Sequence, residues 1–319
     1  MLCRERIVRL PLRQTIFLRI LLQYFVDNKG ISILKKGENM RYFAVFLILT
    51  ALASAGDFGN TETSATAAPV FEGNDNVNIT ILNDWVISEV ALGLDILEGS
   101  GTFILMTADP VVNHIQFYDP TSCNPVSSFN LDSANGNCFG VVCNGSTDST
   151  TYYTNDWLDD VLYYTEDEGV SWTTTVNPSG HDARGMDFDG VNYWTTNGSG
   201  GGVWRFQPGV GQEQIPTPEV TGQPSGLCVF PRGTNLGIAI TTYTDLVFFY
   251  EWDGSTMSFL DGTTCIPECQ YSMGLAYSTT SGTFFWSYLD NSDVYHISEF
   301  TTDLMALTQS SWGSIKSSF

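Results

Sequence analysis

Basic side chains are scarce in this sequence, and most of them lie near its beginning. The 319 residues contain 13 Lys and Arg against 35 Asp and Glu, and eight of the basic residues precede Met40. Residues 56–319 keep four basic and 32 acidic side chains, a formal net charge of −28. Because phosphate binding requires Lys and Arg, this balance argues against nucleic acid and anionic membranes as partners.

Histidine is equally rare, with 3 residues, and no paired Cys-x-x-Cys sequences occur. A zinc site is therefore not expected, and no cofactor is predicted. An acidic chain does suit cations, so Ca²⁺ binding stays open, although the spacing of a 12-residue calcium loop is absent. Gly-x-Ser-x-Gly, His-Glu-x-x-His and phosphate-loop sequences are also absent, which removes the usual signatures of hydrolases, metalloproteases and nucleotide-binding proteins.

Long apolar runs are lacking after residue 55, and the run before it has the layout of an export signal. Residues 40–55 read MRYFAVFLILTALASA, with one basic residue, about a dozen apolar residues and a small-x-small site at the end. This run is shorter than the roughly 20 residues that span a bilayer. The pattern predicts a signal peptide over 40–55, a secreted, periplasmic or cell-surface protein, and no transmembrane helix in the mature chain.

Residues 1–39 precede this signal, although a signal peptide normally begins its chain. The codons for residues 35–39, KKGEN, are compatible with a purine-rich ribosome-binding site before Met40. We therefore expect residues 1–39 to be a leader translated from a misplaced start codon in a bacterial gene. The alternative is a genuine basic extension. Residues 56–75, rich in Thr, Ala, Ser and Gly, are expected to form a flexible leader.

Six cysteines remain in residues 56–319. An even number in an exported protein favours disulfides. The CIPEC sequence at residues 265–269 is expected to close a local loop, and Cys138 is expected to pair with Cys123 or Cys143. Cys228 lies in an apolar run and is expected to be a buried free thiol.

A sustained helical period is missing after the signal, and a short strand pattern recurs instead. Each copy opens with a glycine, and the copies are 41 to 48 residues apart. The five glycines are Gly93, Gly140, Gly185, Gly226 and Gly274. Two runs rich in β-branched and aromatic residues follow each glycine, and a weaker fourth run follows them. Four strands in about 45 residues, repeated, predict an all-β fold: a β-propeller of about five four-stranded blades.

The ends of the repeat region leave the number of blades open. The last repeat has only a weak fourth run, whereas residues 76–90 are strand-like. We expect residues 76–90 to supply the missing outer strand, so that the propeller covers 76–319. A sixth, degenerate blade is the alternative. The leading glycines are expected where the first strands crowd the central channel, because a side chain larger than hydrogen does not fit there.

Residues 165–172, TEDEGVSW, match S/T-x-D-x-G-x-x-W and lie between the third and fourth strands of the second repeat. We expect Thr165 to begin a tight turn in which Asp167 caps backbone N–H groups, Gly169 takes a positive φ and Trp172 packs between blades. The motif resembles the Asp-box of sialidase-like and related propellers. The chain is similar in pattern to secreted bacterial propellers of the Asp-box, YVTN and NHL-like superfamily. This resemblance implies a structural role for the motif. Sialidase activity is not expected, because the arginines of the mature chain do not stand in that family's Arg-Ile-Pro context.

Acidic turns recur elsewhere in the repeats. Asp119 and Asp253 begin turns after the third strands of the first and fourth repeats. Acid-rich loops at 156–160 and 290–293 link second and third strands. Because this placement recurs, we expect these aspartates to cap backbone amides.

The densest polar cluster is HDARGMD at residues 181–187, on the loop that enters the first strand of the third repeat. His181, Asp182, Arg184 and Asp187 are therefore the candidate binding residues for an anionic or sugar ligand. The alternative is a loop ion pair between Asp182 and Arg184 beside a surface histidine.

Asp95 stands where Asp187 stands in its own repeat, two residues after the glycine. Two acids in a channel can bind a cation or act as an acid/base pair, so Asp95, His181 and Asp187 are the catalytic candidates. No complete catalytic constellation is visible, and the function predicted is therefore a secreted, non-catalytic, monomeric propeller that binds a protein, glycan or surface. The alternative is an extracellular hydrolase, lyase or lactonase with an axial acidic pocket, with or without a metal.

Overall fold

The computed structural model describes residues 77–98, 103–108, 113–146, 149–264 and 269–304. All of these belong to one compact unit, residues 70–319. The expected leader, signal peptide and flexible segment before residue 76 lie outside the described residues. No helix in the described ranges is long and apolar enough to cross a membrane.

Twenty strands form five four-stranded antiparallel sheets in the described residues. Sheet 1 contains β2 (Ala91–Leu97), β3 (Phe103–Ala108), β4 (His114–Tyr118) and β5 (Pro125–Asn130). Sheet 2 contains β6 (Cys138–Ser146), β7 (Ser149–Asp156), β8 (Val161–Thr165) and β9 (Thr173–Val176). Sheet 3 contains β10 (Ala183–Phe188), β11 (Tyr193–Asn197), β12 (Val203–Gln207) and β13 (Gly211–Ile215).

The remaining two sheets follow the same plan, with one change. Sheet 4 contains β14 (Pro224–Arg232), β15 (Asn235–Thr242), β16 (Leu246–Trp252) and β17 (Met257–Thr264). Sheet 5 contains β18 (Cys269–Ser278), β19 (Thr283–Asp290), β20 (Tyr295–Thr302) and, as its outer strand, β1 (Ile79–Ile87). The expectation that residues 76–90 complete the last repeat is confirmed, since β1 pairs with β20 from Ile79 opposite Thr302 to Ile87 opposite Tyr295.

The first strands of the sheets form a closed ring. Each of β2, β6, β10, β14 and β18 contacts the first strands of two neighbouring sheets, and β18 contacts β2. First strands are buried almost throughout, whereas β5 and β13 are mostly exposed. Apolar clusters fill the spaces between sheets. The predicted all-β, propeller-like arrangement of four-stranded blades is confirmed.

The five repeat glycines lie where neighbouring first strands touch. A Cβ on any of them would come within 2.3 to 2.8 Å of the backbone of the next first strand. At Gly185 it would lie 2.3 Å from the nitrogen of Leu227, and at Gly274 it would lie 2.5 Å from the nitrogen of Leu94. Glycine is therefore required by close approach of two backbones, as the sequence predicted.

Each ring glycine also lies at a β-bulge between the first and second strands of its sheet. At Gly140, Gly226 and Gly274, a side chain of the second strand accepts the glycine N–H. Gly140 donates to Asn155 Oδ1 at 2.7 Å, and Gly274 donates to Ser287 Oγ at 2.8 Å. Ser287 also donates to the Leu92 carbonyl of sheet 1 at 3.1 Å. The second strand thus ties its own sheet to the next first strand.

Candidate functional site

Asp95 and Asp187 occupy equivalent places on the first strands β2 and β10, and both are buried. They are called the axial acids here because the first strands form the inner ring. One oxygen of each carboxylate accepts the N–H of the following residue, and the other accepts an N–H of the next sheet. The four donor nitrogens lie at 2.6 or 2.7 Å and belong to Ile96, Cys143, Phe188 and Val229. First strands have no pairing strand on their inner edge. The two acids satisfy N–H groups on that edge and join sheet 1 to sheet 2 and sheet 3 to sheet 4.

Burial raises the pKa values of both axial acids and of two neighbouring thiols. Loss of solvation raises the pKa of Asp95 to about 7, against the opposing effect of the Cys143 N–H. Burial also raises the pKa of Asp187 well above its ordinary value, and the charge of Asp95 adds to this shift. The pKa values of the Cys143 and Cys228 thiols are raised by burial and by the same two acids. Burial at the first strands therefore disfavours the charged form of both acids.

His181 does not join the axial acids. It is exposed on the loop before β10, and its Nδ1 lies 2.5 Å from the Leu158 carbonyl. Asp187 lies towards the other end of β10, where it bonds to sheet 4. The described geometry therefore brings Asp95 and Asp187 into one electrostatic environment, but leaves His181 on a surface loop.

Arg184 lies at the end of the sheets where the first strands begin, here called the upper face. Its Nη1 donates to the Tyr243 hydroxyl at 2.8 Å, and its Nη2 contacts Asp182. The guanidinium carbon lies 4.8 to 5.2 Å from the ring centres of Phe139, Trp157 and Tyr243, within the range of cation–π attraction. The Arg184 side chain is 7% exposed. Arg184 and Asp182 thus form an ion pair, as in the alternative interpretation of a loop ion pair beside a surface histidine.

The turn at residues 165–172 joins β8 to β9, where the sequence placed it. Asp167 Oδ1 accepts the Ser171 N–H at 2.9 Å, and Thr165 Oγ1 accepts the Gly169 N–H at 3.0 Å. Gly169 has a φ of 82°. Trp172 packs on Phe129 of sheet 1, with ring centres 6.4 Å apart. These contacts hold a tight turn against the neighbouring sheet.

The other predicted acidic turns also have the expected hydrogen bonds. Asp119 caps the Ser122 N–H at 2.8 Å, Asp253 caps the Thr256 N–H at 2.7 Å, and Asp290 caps the Val294 N–H at 2.8 Å. These backbone bonds lower the pKa of all three carboxyl groups. Among the described residues, no group of three or more His, Cys, Asp or Glu is arranged to hold a metal ion. The Ca²⁺ prediction stays a prediction.

The expected disulfides require a correction. No disulfide bond joins the cysteines that the structure describes. Cys138 does not pair with Cys123 or Cys143: its sulfur lies 3.8 Å from Asn113 Oδ1, and the Cys143 sulfur lies 3.6 Å from the Ile96 carbonyl. Cys269 is unbonded as well, and its expected partner at position 265 lies outside the described residues. Cys228 is a buried free thiol on β14, as predicted.

Sequence reasoning missed the aromatic surroundings of Arg184. Phe139, Trp157 and Tyr243 come from three different loops or strand ends, and Tyr271 adds a fourth ring 6.4 Å from Tyr243. No spacing in the sequence connects these residues. The one available signal was their shared place in the repeat, since each stands next to a strand end on the upper face.

Comparisons with known proteins give a fold likeness only. No protein-family model matches the chain, and no curated protein matches it. One similar solved structure is the glutaminyl cyclase of Myxococcus xanthus, with 16% identity over 70% of this chain and 96% of that chain and a TM-score of 0.47. Virginiamycin B lyase from Staphylococcus aureus has 11% identity over 71% of this chain and 74% of that chain, with a TM-score of 0.41. The gluconolactonase XC5397 from Xanthomonas campestris has 10% identity over 70% of this chain and 90% of that chain, with a TM-score of 0.47. At these identities and scores they carry no argument about activity.

Proposed function

We propose that this chain is an exported, non-catalytic, monomeric propeller that binds a protein, glycan or surface partner. The observation that carries the proposal is that the axial acids are already hydrogen-bonded to the backbone. Each oxygen of Asp95 and Asp187 already accepts a backbone N–H across or along a joint between sheets. A carboxylate engaged in this way holds the ring together and is poorly placed to accept a proton from a substrate.

The upper face supplies the binding surface in this proposal. Trp157 and Tyr271 are half-buried beside the sealed Arg184–Tyr243 pair. Aromatic side chains of this kind offer large contact area at small entropic cost, which is why they are enriched at protein interfaces. The Arg184 guanidinium stacks on Trp157, and Tyr271 packs against Tyr243, which accepts from Arg184.

The proposal is tested with the full chain on a glycan array, on candidate surfaces and in a metal-content assay. We expect saturable binding that weakens at least tenfold in Trp157→Ala. Val176→Ala, which shortens an exposed side chain on an outer strand, serves as the control and should bind as the wild type does. If Trp157→Ala bound every ligand of the wild type with unchanged affinity, that result would contradict the use of the upper face.

The enzymatic alternative has one observation in its favour, the raised pKa of Asp95, because perturbed acids cluster at active sites. It requires Asp95, Asp187 and His181 to act in one pocket. Turnover of a lactone or glycoside panel that is abolished by Asp187→Asn, with the variant still folded, would overturn the non-catalytic proposal.

We also propose that the complete ring has five blades, with the alternative of six. The closed series of first-strand contacts and the pairing of β1 with β20 support five. An experimental structure of the full chain with a sixth sheet would contradict this number. The turn at 165–172 is proposed to be an Asp-box in the family sense, on the strength of its Asp167 and Trp172 contacts.

Export after cleavage at residue 55 belongs to the same proposal. It is supported by the signal-like residues 40–55 and by the strongly acidic composition that follows. N-terminal sequencing of the protein recovered from the source culture should read from Gly56. A protein that begins at Met1 and stays inside the cell would contradict export.

A further inference from the structure

A polar cleft of about 340 Å³ lies on sheet 3, at the end opposite Arg184, here called the lower face. It is bounded by the turn before β11, by β12 and by the β12–β13 hairpin. Five polar side chains line it: Asn192, Arg205, Gln207, Gln212 and Glu213. Its volume is at the lower end of the range for small-ligand sites.

Arg205 is held in this cleft by stacking. Its guanidinium carbon lies 5.9 Å from the ring centre of Trp194 and 5.8 Å from that of Trp252. Both tryptophans are buried. With the Asn192 amide oriented to satisfy its neighbours, its oxygen accepts from Arg205 Nη2 at 3.0 Å and from Nε at 3.2 Å. The guanidinium is therefore held in position by two aromatic rings and one amide oxygen.

The nearest acid to Arg205 in the cleft stands beside it without a hydrogen bond. Arg205 Nη1 lies 3.6 Å from Glu213 Oε2, and the two side chains are 31% and 54% exposed. Strand register places these residues directly opposite each other on β12 and β13. The pair thus presents a fixed donor and an acceptor next to each other, open to solvent and with no net charge.

The other two arginines that the structure describes form closer ion pairs with less exposed side chains. Arg184 contacts Asp182 with a side chain only 7% exposed, and Arg232 Nε lies 2.5 Å from Glu251 with a side chain 17% exposed. Among the three described arginines, Arg205 has the most exposed side chain. This makes the cleft the place where the chain offers a cationic donor to a ligand.

The chemistry of the cleft fits neighbouring hydroxyl groups. A hydroxyl both donates and accepts, so two adjacent hydroxyls can accept from Arg205 and donate to Glu213 at the same time. The amides of Gln207 and Gln212 add further donors and acceptors. An anionic ligand is disfavoured by Glu213 and by the net charge of −28 over residues 56–319.

We propose that this cleft binds a neutral sugar unit of a glycan through vicinal hydroxyl groups. The proposal goes beyond the binding function proposed above, because the cleft lies at the other end of sheet 3 from the aromatic surface. The two sites can therefore fail independently.

The test begins with the full chain on an array of neutral and carboxylated oligosaccharides, followed by calorimetric titration of the best neutral ligand. Glu213→Ala and Gln212→Ala change exposed residues of an outer strand, so the fold is expected to survive. Each should weaken binding at least tenfold. Arg205→Lys keeps the charge but loses the planar donor pair, and it should weaken binding to a similar degree.

The matched control is Gln214→Ala, on the same strand but outside the cleft, where the side chain bonds to the Gly201 carbonyl. It should bind as the wild type does. Binding of neutral glycans that falls in Glu213→Ala and persists in Gln214→Ala and in Trp157→Ala supports the proposal. Absence of neutral-glycan binding, binding of carboxylated glycans alone, or binding lost in Trp157→Ala but unchanged in Glu213→Ala would each overturn it. The last of these results would still support the upper face.

Discussion

Two arginines of sheet 3 have opposite surroundings, although both are stacked on aromatic rings. Arg184, at the inner strand, contacts Asp182 and donates to Tyr243 while almost fully buried. Arg205, on the third strand, lies 3.6 Å from its acid and is about one-third exposed. The inner strand therefore uses its polar groups to hold the ring, whereas the outer strands leave theirs available. A search for ligands in this molecule belongs at the periphery and at the faces.

The largest effect should come from the ring itself. Gly185→Ala would place a Cβ 2.3 Å from the Leu227 nitrogen, and neither backbone can move without opening the joint. We expect a loss of at least about 4 kcal/mol in the free energy of unfolding, measured by urea denaturation. Gly136→Ala, which adds a methyl group in open space, should change it by less than about 0.5 kcal/mol. Equal effects would show that the ring is loosely packed.

Replacement of the two arginines tests the comparison directly. Arg184→Met leaves Asp182 and the Tyr243 hydroxyl without their partner, and we expect a loss of about 3 kcal/mol in unfolding free energy. Arg205→Met removes a partly exposed ion pair with 3.6 Å between Nη1 and Oε2, and it should cost less than Arg184→Met, about 1 kcal/mol. Thermal and urea unfolding of both variants provide the measurement, and a larger loss for Arg205→Met would reverse the assignment of inner and outer roles.

The axial acids predict an unusual dependence of stability on pH. Because the folded pKa of Asp95 is raised to about 7, the folded state binds more protons than the unfolded state between pH 4 and pH 7. The contribution of Asp95 to stability is therefore greatest below about pH 4 and falls as the pH rises through 7. The slope is at most about 1.4 kcal/mol per pH unit for this group, or roughly 2 kcal/mol between pH 5 and pH 7.

Asp95→Asn is the control for this slope, since the amide resembles the protonated acid. The variant should be less stable than the wild type at pH 5, because its amide nitrogen replaces an oxygen that accepts a backbone N–H. It should nevertheless lose less stability between pH 5 and pH 7, with Asp187→Asn behaving in the same direction. The acids with lowered pKa, such as Asp119 and Asp253, titrate below this window. A wild-type curve that is flat from pH 5 to pH 7 would contradict the raised pKa of Asp95.

The smallest effect on stability is expected at the turn of residues 165–172. Thr165→Val removes the hydroxyl that accepts the Gly169 N–H and donates to Asp167. We expect a loss of about 1 kcal/mol in unfolding free energy. Thr174→Val, on the exposed strand that follows, should be neutral in the same measurement. If the two variants are equal, the turn hydrogen bonds contribute nothing to stability.

The repeat, its glycines and the closing strand were predictable because they depend on local pattern. A glycine at 41- to 48-residue intervals marks the close approach of two backbones, and residues 76–90 were strand-like with no partner of their own. The turn at 165–172 was predictable for the same reason, since its bonds join residues at most four apart.

The candidate sites were less accessible, because they depend on contacts between repeats. The two bonds of Asp95 to Ile96 and Cys143 cannot be read from spacing, so its role as a joint was missed. The disulfide prediction was wrong for the same reason, since an even number of cysteines does not show which of them lie close together in the fold. Arg205 and Glu213 face each other only through the strand register of sheet 3.

The pairing of β1 with β20 also has a consequence for synthesis of the chain. Asn78 and Asp303 bond to each other across 225 residues of sequence. At a synthesis rate of about 5–20 residues per second, β1 waits roughly 10 to 45 seconds before its partner strand exists. During that time its edge is an open template for other strands. The ring can therefore close only after the whole repeat region from β1 to β20 has been synthesised.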